Sequence, residues 1–426
     1  MALKRDIVIT GVGVVSPIGI GKEDFWTSLV EGRSGVRRVA LYGGGGEPPS
    51  DLPTAIGGQV LGFDPTKYVR PRKSLKVMSR DIQFAFAAAD LACADASLRR
   101  DAVDPERLGV VFGADLMPCD FSEMIQAYRG CMVDGKFDFG RWGQSAMEEL
   151  CPLWMLKYLP NMPACHIGIY QDARGPNNSM NLGEVSSLAA LAEATRVIER
   201  GHADVMIAGG TGCRLHPAMW YRNRVFDLAS YGNDPAAVPR PFDARREGMV
   251  SGEGAGAFIL ETRQRAESRG ATVLARVIGY AATFEPRRGG KPPQGIAIRK
   301  AIAAALRDAN LTPADIGHVK AHGIGTVEDD RIEARAIHDV LGDVPVTAPK
   351  SFFGNLGAGC GAVETAVSVL ALQRATVPHT RNYDCPDPTC PVNVVRDRPL
   401  KTDKPAALVL NHTIFGQSIA LVLGAP

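Results

Sequence analysis

"LGEVSSLAALAEATRVIERGHADVMIAGG", residues 182–210, is the stretch that decides the fold. Its glycine-led first part carries apolar residues at helical spacing, which predicts a helix over 184–200. Its last part, ADVMIAGG, is a short apolar run that predicts a buried strand. Small residues along a helix allow close packing, as a central helix buried between two sheets requires. The stretch therefore indicates an α/β fold with a helix in its interior.

Strands and helices alternate on both sides of this stretch. Apolar, β-branched runs that predict strands are DIVITGVGVV, RLGVVFGA, GAFILE, TVLARVIGYAAT, IGHVKAHG, VPVTA, AALVLNHTIF and SIALVLG. Further helices are predicted over 79–97, 295–309, 328–341 and 360–374. Gly and Pro predict loops over 42–54 and 285–295, and residues 115–165, which lack clear periodicity, are interpreted as a cap on the core. Near-continuous apolar strands between helices imply sheets that are covered on both faces.

The chain carries a weak internal echo of its deciding stretch. LGAGCGAVETAVSVLAL, residues 356–372, is again glycine-led and then rich in small and apolar residues. Each of the two segments precedes an apolar strand in its own part of the chain. Two similar halves, 1–262 and 263–426, are predicted on this basis, although any α/β protein can produce such an echo by chance.

Composition excludes several classes of protein. The chain has 426 residues, 45% of them hydrophobic and 22% charged, with a net charge of +2, so a general nucleic-acid binder is not expected. No apolar run approaches the roughly 18 residues that a membrane span needs, and the N-terminus is interpreted as a strand and not as a signal peptide. Nine scattered cysteines favour a reducing cytoplasm, and the close pair Cys385 and Cys390 lacks the second pair of a zinc site, so no metal is expected.

A series of motifs matches one family in order along essentially the whole chain. They are ITGVGVVSPIG, ARGPNNSM, HADVMIAGG, RPFDARREGMVSGEGAGAFILE, VKAHGIGTVEDDRIEARAI, PKSFFGNLGAGCGAVE and LNHTIFGQS. The chain resembles the β-ketoacyl-acyl-carrier-protein synthases of the elongating type, the condensing enzymes of fatty-acid and polyketide synthesis. The resemblance implies a thiolase-like, duplicated αβαβα five-layer fold, an obligate dimer, acyl thioesters carried by an acyl carrier protein, and no cofactor.

The family's chemistry rests on a cysteine and two histidines. The cysteine lies at a helix N-terminus, where the helix dipole favours the thiolate that takes the acyl chain. By resemblance, this cysteine corresponds to Glu184, the first histidine to His322 and the second to Asn355. A carboxylate is a poor nucleophile towards a thioester, so ordinary condensation is not expected. Related condensing enzymes use a Cys-His-Asn set, so His322 and Asn355 are still suited to donate hydrogen bonds to a developing enolate oxygen.

The resemblance assigns further residues to the site. Lys350 and its carboxylate partner Glu364 match the family's pair, and Phe415 matches a gating phenylalanine, although TIFGQSI departs from the usual FGFGGTN. Of two threonines that hold the pantetheine arm, Thr326 is kept and Ile324 replaces the other. The acidic pair after the first histidine motif matches as well, and it consists of Asp330 and Glu333.

Three other features have alternative interpretations. Cys360, close to Asn355, is either a replacement nucleophile or a packing residue at a small-residue helix start. The histidines other than His322 lack matching motifs and are interpreted as structural or exposed, while His322 itself is either catalytic or a satisfied core residue. A basic run is either a carrier-protein docking site or a solvated helix face, and its candidate residues are Arg70, Arg72, Lys73 and Lys76.

Three functions remain open from the sequence. The chain is a synthase-like enzyme that handles acyl thioesters without a cysteine, or a noncatalytic, chain-length-setting partner of an active ketosynthase, or a protein that only binds. A homodimer and a heterodimer are both compatible with these functions. We expect Glu184 to be ionised at its helix N-terminus. A lone Glu184 charge would repel a malonyl carboxylate by about 4 kcal/mol at 4 Å and an effective dielectric near 20, so weak or absent malonyl decarboxylation is expected.

Overall fold

The computed structural model describes residues 6–39, 56–216, 218–219, 228–230, 234–286 and 293–426. The loop predicted over 42–54 lies outside these residues, as does the middle of the loop predicted over 285–295. The described strands are β1 (Ile7–Ser16), β2 (Gly19–Ile20), β3 (Val36–Arg38), β4 (Ile56–Gly58), β5 (Leu108–Gly113), β6 (Met132–Val133), β7 (Lys136–Phe137), β8 (Asn177–Met180), β9 (Val205–Cys213), β10 (Glu253–Thr262), β11 (Ala275–Phe284), β12 (Ile316–Lys320), β13 (Pro345–Thr347), β14 (Thr376–Val377), β15 (Asn393–Val394), β16 (Leu400–Lys401), β17 (Ala406–His412) and β18 (Gln417–Gly424).

The described α-helices include every one that the spacing of apolar residues predicts. They are α1 (Lys22–Glu31), α2 (Arg80–Asp95), α3 (Phe121–Gly130), α4 (Trp142–Glu149), α5 (Met162–Gln171), α6 (Ser186–Glu199), α7 (Arg263–Ser268), α8 (Ile296–Ala309), α9 (Val327–Leu341), α10 (Lys350–Phe353) and α11 (Cys360–Arg374). The helix predicted over 184–200 differs in its first turn, because a short 3-10 helix at Gly183–Val185 precedes α6.

One large sheet connects most of the strands. It has 12 strands and runs in the order β15-β13-β12-β17-β18-β11-β1-β10-β9-β5-β8, with β2 paired beside β1. β1 pairs antiparallel with β10 on one side and with β11 on the other. β12, β13 and β17 are parallel neighbours, as are β5, β8 and β9. The carboxyl ends of β9 and β12 point towards the loops that carry the candidate site.

The layers alternate between helix and sheet. α2 packs on β1 and β10, and α8 packs on β11 and β18 at the opposite outer face. Between the two sheet regions lie α6, which contacts β5 and β9, and α11, which contacts β10 and β17. This is the five-layered αβαβα order that the sequence indicates. α11 is buried from Cys360 to Ala371, as a helix enclosed by two sheets must be.

Close packing at the centre explains the small residues of the deciding stretch. A Cβ added at Gly210 in β9 would lie 2.1 Å from the Ser187 Oγ of α6. One added at Gly113 in β5 would lie 2.7 Å from the Ser186 carbonyl carbon. The strands and α6 therefore approach too closely for larger residues at these positions.

The segment 115–165 contains helices that its sequence did not reveal. α3 and α4 lie within it, and α5 begins at its end. In α3 the buried residue is Ala127, whereas Phe121, Ile125 and Tyr128 are exposed. The apolar side chains of this segment therefore lie on its surface, so their spacing does not report a buried face.

Candidate active-site pocket

A cavity of about 500 Å³ lies where the loops after β9 and β12 meet the start of α6. Four residues that the sequence assigned to the site line it, namely Glu184, Ile324, Thr326 and Phe415. Arg214 and Asp115, which the sequence analysis did not single out, line it as well. Phe415 is 67% exposed and lies at the mouth of the cavity, not packed over its interior.

Glu184 is placed by a tight turn between β8 and α6. Gly183 has a φ of 62°, in the left-handed region that glycine adopts at least cost, and lets the chain turn into the helix. The Ser186 hydroxyl donates to the Gly183 carbonyl at 2.7 Å and accepts from the Leu182 N–H at 2.8 Å, which fixes the turn. The side chain of Glu184, 14% exposed, then points into the cavity.

Glu184 is paired with a buried arginine. Arg214 Nη2 lies 3.0 Å from Glu184 Oε1, and the Asn355 amide Nδ2 lies 3.5 Å from the same oxygen. Burial raises the pKa of Glu184, but the Arg214 charge, the N–H of Glu184 itself and the Asn355 amide together hold it below its ordinary value. The predicted ionisation of Glu184 agrees with this direction, although Arg214 contributes more than the helix N-terminus does.

Arg214 follows directly after β9 and is 7% exposed. Its Nη2 also lies 3.2 Å from Asp115 Oδ2, so one guanidinium holds two carboxylates of the cavity. Burial lowers the pKa of Arg214, but the charges of Glu184 and Asp115 raise it by more, so the net shift is upward and the guanidinium stays charged. Two carboxylates and one guanidinium leave a formal net charge of −1 on this group, so a malonyl carboxylate would still be repelled, by a charge shared between Glu184 and Asp115.

His322 is buried beside Lys350 and does not line the cavity. Lys350 Nζ lies 3.1 Å and Asn411 Nδ2 3.0 Å from its Nδ1. Because an ammonium and an amide NH₂ are both donors, Nδ1 must accept and the ring proton belongs on Nε2. Burial lowers the pKa of His322 well below 6.5, and the Lys350 charge lowers it further. His322 is therefore a neutral imidazole, with Nε2–H available as a hydrogen-bond donor.

Lys350 connects His322 to the rest of the site. Its ammonium donates to the His322 carbonyl at 2.7 Å and to Glu364 Oε1 at 2.5 Å. The other Glu364 oxygen accepts from Lys320 at 2.5 Å, and Lys320 is a second buried lysine that the sequence analysis missed. The Lys350 charge is also among the causes that lower the pKa of Glu184, so both ends of the site interact electrostatically.

Asn355 has a defined orientation. Its Oδ1 accepts from the Gly357 N–H at 3.0 Å and from the Cys360 thiol at 3.1 Å. Its Nδ2 is therefore left for the side of Glu184 and of Met249, whose sulfur lies at 3.5 Å. The amide presents a donor towards the pocket, as the Cys-His-Asn analogy requires.

Cys360 is held as a structural thiol. It is fully buried, donates to Asn355, and burial raises its pKa to about 12. At neutral pH almost none of it is thiolate, which is the reactive form. The geometry favours the packing interpretation over the replacement nucleophile.

The acidic pair Asp330 and Glu333 supports the histidine loop from behind. Glu333 accepts from the backbone N–H groups of His322 and Gly323 at 2.6 and 2.8 Å. Asp330 accepts from those of Gly325 and Phe242 at 3.0 and 2.8 Å. Both carboxylates are fully buried in these contacts and do not line the cavity.

His412 was interpreted from the sequence as structural or exposed, and it is buried beside the site. Its ring centroid lies 4.5 Å from that of His322, and its Nε2 lies 3.7 Å from Glu333 Oε2. His412 lies within the motif LNHTIFGQS, but the resemblance assigns no role to this residue. Thr326 donates to Asp329 at 2.7 Å and is mostly buried.

The basic run lies away from the cavity. Its four candidate docking residues, all exposed, are Arg70, Arg72, Lys73 and Lys76.

Among the residues that the structure describes, no group of three or more His, Cys, Asp or Glu side chains is arranged to hold a metal ion. Within the same residues, no helix has the length and apolarity of a membrane span.

Comparison with known proteins identifies the class of protein that this site belongs to. Residues 4–266 match the family model of the beta-ketoacyl synthase N-terminal domain, and residues 274–384 match that of the C-terminal domain. The chain is 32% identical over 398 residues to 3-oxoacyl-[acyl-carrier-protein] synthase 2 of Synechocystis sp., which covers 92% of this chain and 91% of the relative.

Two further matches concern paired subunits. The chain is 31% identical over 432 residues to the tetracenomycin polyketide synthase ketoacyl synthase beta subunit of Streptomyces glaucescens, covering 99% of each. The solved structure of the ishigamide ketosynthase/chain length factor matches over 100% of both chains with a TM-score of 0.86 and 27% identity.

The chain belongs to the β-ketoacyl synthase family, and its fold is the thiolase-like fold of that family. Its relatives include both a condensing synthase and a beta subunit. Membership alone therefore does not decide the reaction, which has to be argued from the pocket.

Proposed function

We propose that this chain is the partner subunit of a cysteine-bearing ketosynthase in carrier-protein-dependent fatty-acid or polyketide synthesis, and that its own pocket forms no acyl-enzyme. The observation that carries the proposal is the contact between Glu184 and the buried Arg214 at 3.0 Å. The position of the family's nucleophile is filled by an ionised side chain that has its own counter-charge.

Among the residues described around the pocket, we find no other route to an acyl-enzyme. A carboxylate held by a guanidinium is a weaker nucleophile than a free one, because the lone pairs that would attack are engaged. Cys360 is the cysteine closest in sequence to Asn355, and burial keeps its thiol protonated. Acyl chains must then be carried by another subunit.

The surface of the chain supports a protein partner. Large apolar side chains are exposed throughout the region that includes α3, α4 and α5, among them Phe121, Phe139, Met147, Met155 and Ile169. β8, at one end of the large sheet, lies beside this region and pairs on one side only within the described residues. Exposed apolar surface next to a strand edge is typical of an interface between subunits. The beta-subunit relative and the ketosynthase/chain length factor structure favour a heterodimer with a ketosynthase.

A carrier protein is the second partner in this proposal. Arg70, Arg72, Lys73 and Lys76 form an exposed basic patch on and beside the 3-10 helix Arg72–Val77. Carrier proteins are acidic, and complementary charge accelerates encounter between proteins. The role of these four basic residues as a docking site is part of the proposal, and so is a cytoplasmic location of the protein.

Co-expression with a cysteine-bearing ketosynthase from the same genome tests the proposal. We expect both chains to co-purify in equal amounts, and we expect product from acyl- and malonyl-carrier protein only when both are present. Met147→Asp, at a side chain that is 85% exposed in the apolar region, should abolish co-purification. Leu61→Asp, at a side chain that is 56% exposed on another part of the chain, is the matched control and should not. Full activity of the ketosynthase alone would overturn the proposal.

Malonyl decarboxylation is a second candidate function, and the site geometry favours it specifically. His322 Nε2–H and Asn355 Nδ2 are both donors, which is the chemistry that stabilisation of an enolate oxygen needs, although neither residue lines the cavity of the described structure. The test is CO₂ release from malonyl-carrier protein by the isolated chain. Release that His322→Ala abolishes, while exposed His202→Ala leaves it intact, would establish this function, and no release above background would exclude it.

A further inference from the structure

Lys320 is a buried lysine that neither the family pattern nor the proposed function uses. It ends β12, two residues before His322, and is 0% exposed. Its ammonium donates to Glu364 Oε2 at 2.5 Å, to the Leu410 carbonyl at 2.7 Å and to Asn411 Oδ1 at 2.8 Å. Burial lowers the pKa of Lys320, while the Glu364 charge and three acceptors for its three protons favour the ammonium form.

The contact with Lys320 decides how the Asn411 side chain is oriented. A lysine ammonium only donates, so the atom of Asn411 that faces it must be the carbonyl oxygen. The amide NH₂ then faces the other way, where it lies 3.0 Å from His322 Nδ1 and 3.1 Å from Glu364 Oε2. If Lys320 were absent, nothing on that side would require the oxygen, and Glu364 Oε2 would be the remaining charged partner that favours the present orientation, so the amide would turn over more readily.

The orientation of Asn411 in turn affects which nitrogen of His322 carries the proton. With NH₂ facing it, Nδ1 must accept, as it also does from Lys350 at 3.1 Å. With the amide oxygen facing it, Nδ1 would gain from carrying a proton instead. We propose that Lys320 is a positioning residue that, through Asn411, keeps His322 as a neutral imidazole with its proton on Nε2.

The charges around His322 act in the same direction. After burial, the positive charges of Lys350, His412, Lys320 and Arg214 lower the pKa of His322. Glu333 and Glu364 are the carboxylates packed closest to this group, and they accept from the His322 backbone and from the two lysines respectively. Removing Lys320 therefore takes away one positive charge and leaves both carboxylates, so protonation of His322 becomes easier.

The tautomer of His322 can be measured directly by NMR on the complete protein. Histidine labelled with ¹⁵N gives distinct nitrogen shifts for Nδ1–H, Nε2–H and imidazolium, and His322→Gln assigns the signal. We expect the wild type to show Nε2–H alone at neutral pH. We expect Lys320→Met to populate a second protonation form and to titrate at higher pH. Lys300→Met, at an exposed lysine, removes the same charge elsewhere and should leave the signal unchanged.

Two results would overturn the inference. One is an Nδ1–H signal in the wild type, which needs no variant to fold. The other is a His322 signal and titration in folded Lys320→Met that match those of the wild type. The consequence of the tautomer for a bound thioester rests on the proposed function. The tautomer itself does not, because the spectra are recorded without carrier protein or partner, whereas co-purification tests the proposed function alone.

Discussion

Glu184 and His322 belong to one site but are held in opposite ways. Glu184 is charged, and its counter-charge comes from Arg214, which follows a strand some 30 residues further along the chain. His322 is neutral and is kept so by donors on Nδ1 and by surrounding positive charge. The first end departs from the ketosynthase pattern, while the second keeps it almost whole.

The comparison of these two ends shows that a motif can be retained for stability alone. Glu364 pairs with two buried lysines, Lys320 and Lys350, so we expect it to be needed for stability whether or not the site is catalytic. The presence of His322, Lys350 and Glu364 therefore does not by itself argue for chemistry. At the position that the resemblance assigns to the nucleophile, the chain has Glu184 in an ion pair with Arg214.

The largest expected effect tests whether the retained end is structural. Glu364→Gln leaves two buried ammonium groups with neutral acceptors and without their shared carboxylate, and we expect a loss of about 3–5 kcal/mol in the free energy of unfolding. Urea denaturation measures it. Glu328→Gln is the matched control, because Glu328 is half exposed and pairs with Arg331 at the surface. It should cost about 0–1 kcal/mol. A similar small cost for Glu364→Gln would show that the network is not needed for folding.

The second prediction uses a buried histidine outside the pocket as a reference for His322. His318 lies on β12, four residues before His322, its Nε2 is 3.0 Å from the Ser368 hydroxyl, and burial lowers its pKa from 6.5 to about 4. Between these pH values the unfolded chain binds a proton that the native state does not. Stability should therefore fall as the pH falls, by about 3 kcal/mol from this residue.

Comparing two proteins isolates this contribution from other groups that titrate in the same range. We expect the pH dependence of the unfolding free energy to be flatter by that amount in His318→Gln than in the wild type. The exposed His202→Gln serves as control and should follow the wild type. Parallel curves for His318→Gln and the wild type would contradict the assignment.

The third prediction concerns the ion pair at the diverged end. Arg214→Met leaves Glu184 with only Asn355 and its own N–H, and we expect a loss of about 2 kcal/mol, since the carboxylate keeps some solvent contact. In a double-mutant cycle with Glu184→Gln, the coupling energy should be about 1–3 kcal/mol. Arg174→Met, at an exposed pair with Asp172, should change stability by under about 0.5 kcal/mol. Additive effects in the cycle would mean that the pair is incidental.

The last prediction is that Cys360 does not react with an alkylating reagent in the native protein. Cys360 should resist alkylation at pH 8 in the native protein, because with a pKa of about 12 its thiolate fraction is on the order of 10⁻⁴ and it is fully buried. Exposed Cys151 and Cys385 should react under the same conditions and provide the internal control. Peptide mass spectrometry reads out each site. Labelling of Cys360 at a rate like theirs would restore it as a candidate nucleophile.

The sequence predicts the part of the site that motifs describe. The resemblance assigned Glu184, Ile324, Thr326 and Phe415 to one site, and all four line one cavity in the structure. Asn355 likewise follows from its place before α11.

The sequence does not predict residues whose role depends on a neighbour far along the chain. Arg214 and Lys320 look like ordinary basic residues at strand ends, and only the fold brings them to Glu184 and Glu364. His412 also gains its meaning from contact with His322. The helices α3 and α4 were missed for a different reason, since most of their large apolar side chains are exposed and their spacing does not report a buried face.

The most direct test of the central claim is the intact mass of both subunits after incubation with acyl- and malonyl-carrier protein. The mixture contains this chain and a cysteine-bearing ketosynthase, and Glu184→Cys is run beside the wild type to show that an adduct at this position would be seen. We predict that the acyl increment appears on the ketosynthase and that the mass of the wild-type chain stays unchanged. An acyl increment on the wild-type chain, mapped by peptide mass spectrometry to Glu184 or Cys360, would contradict the account.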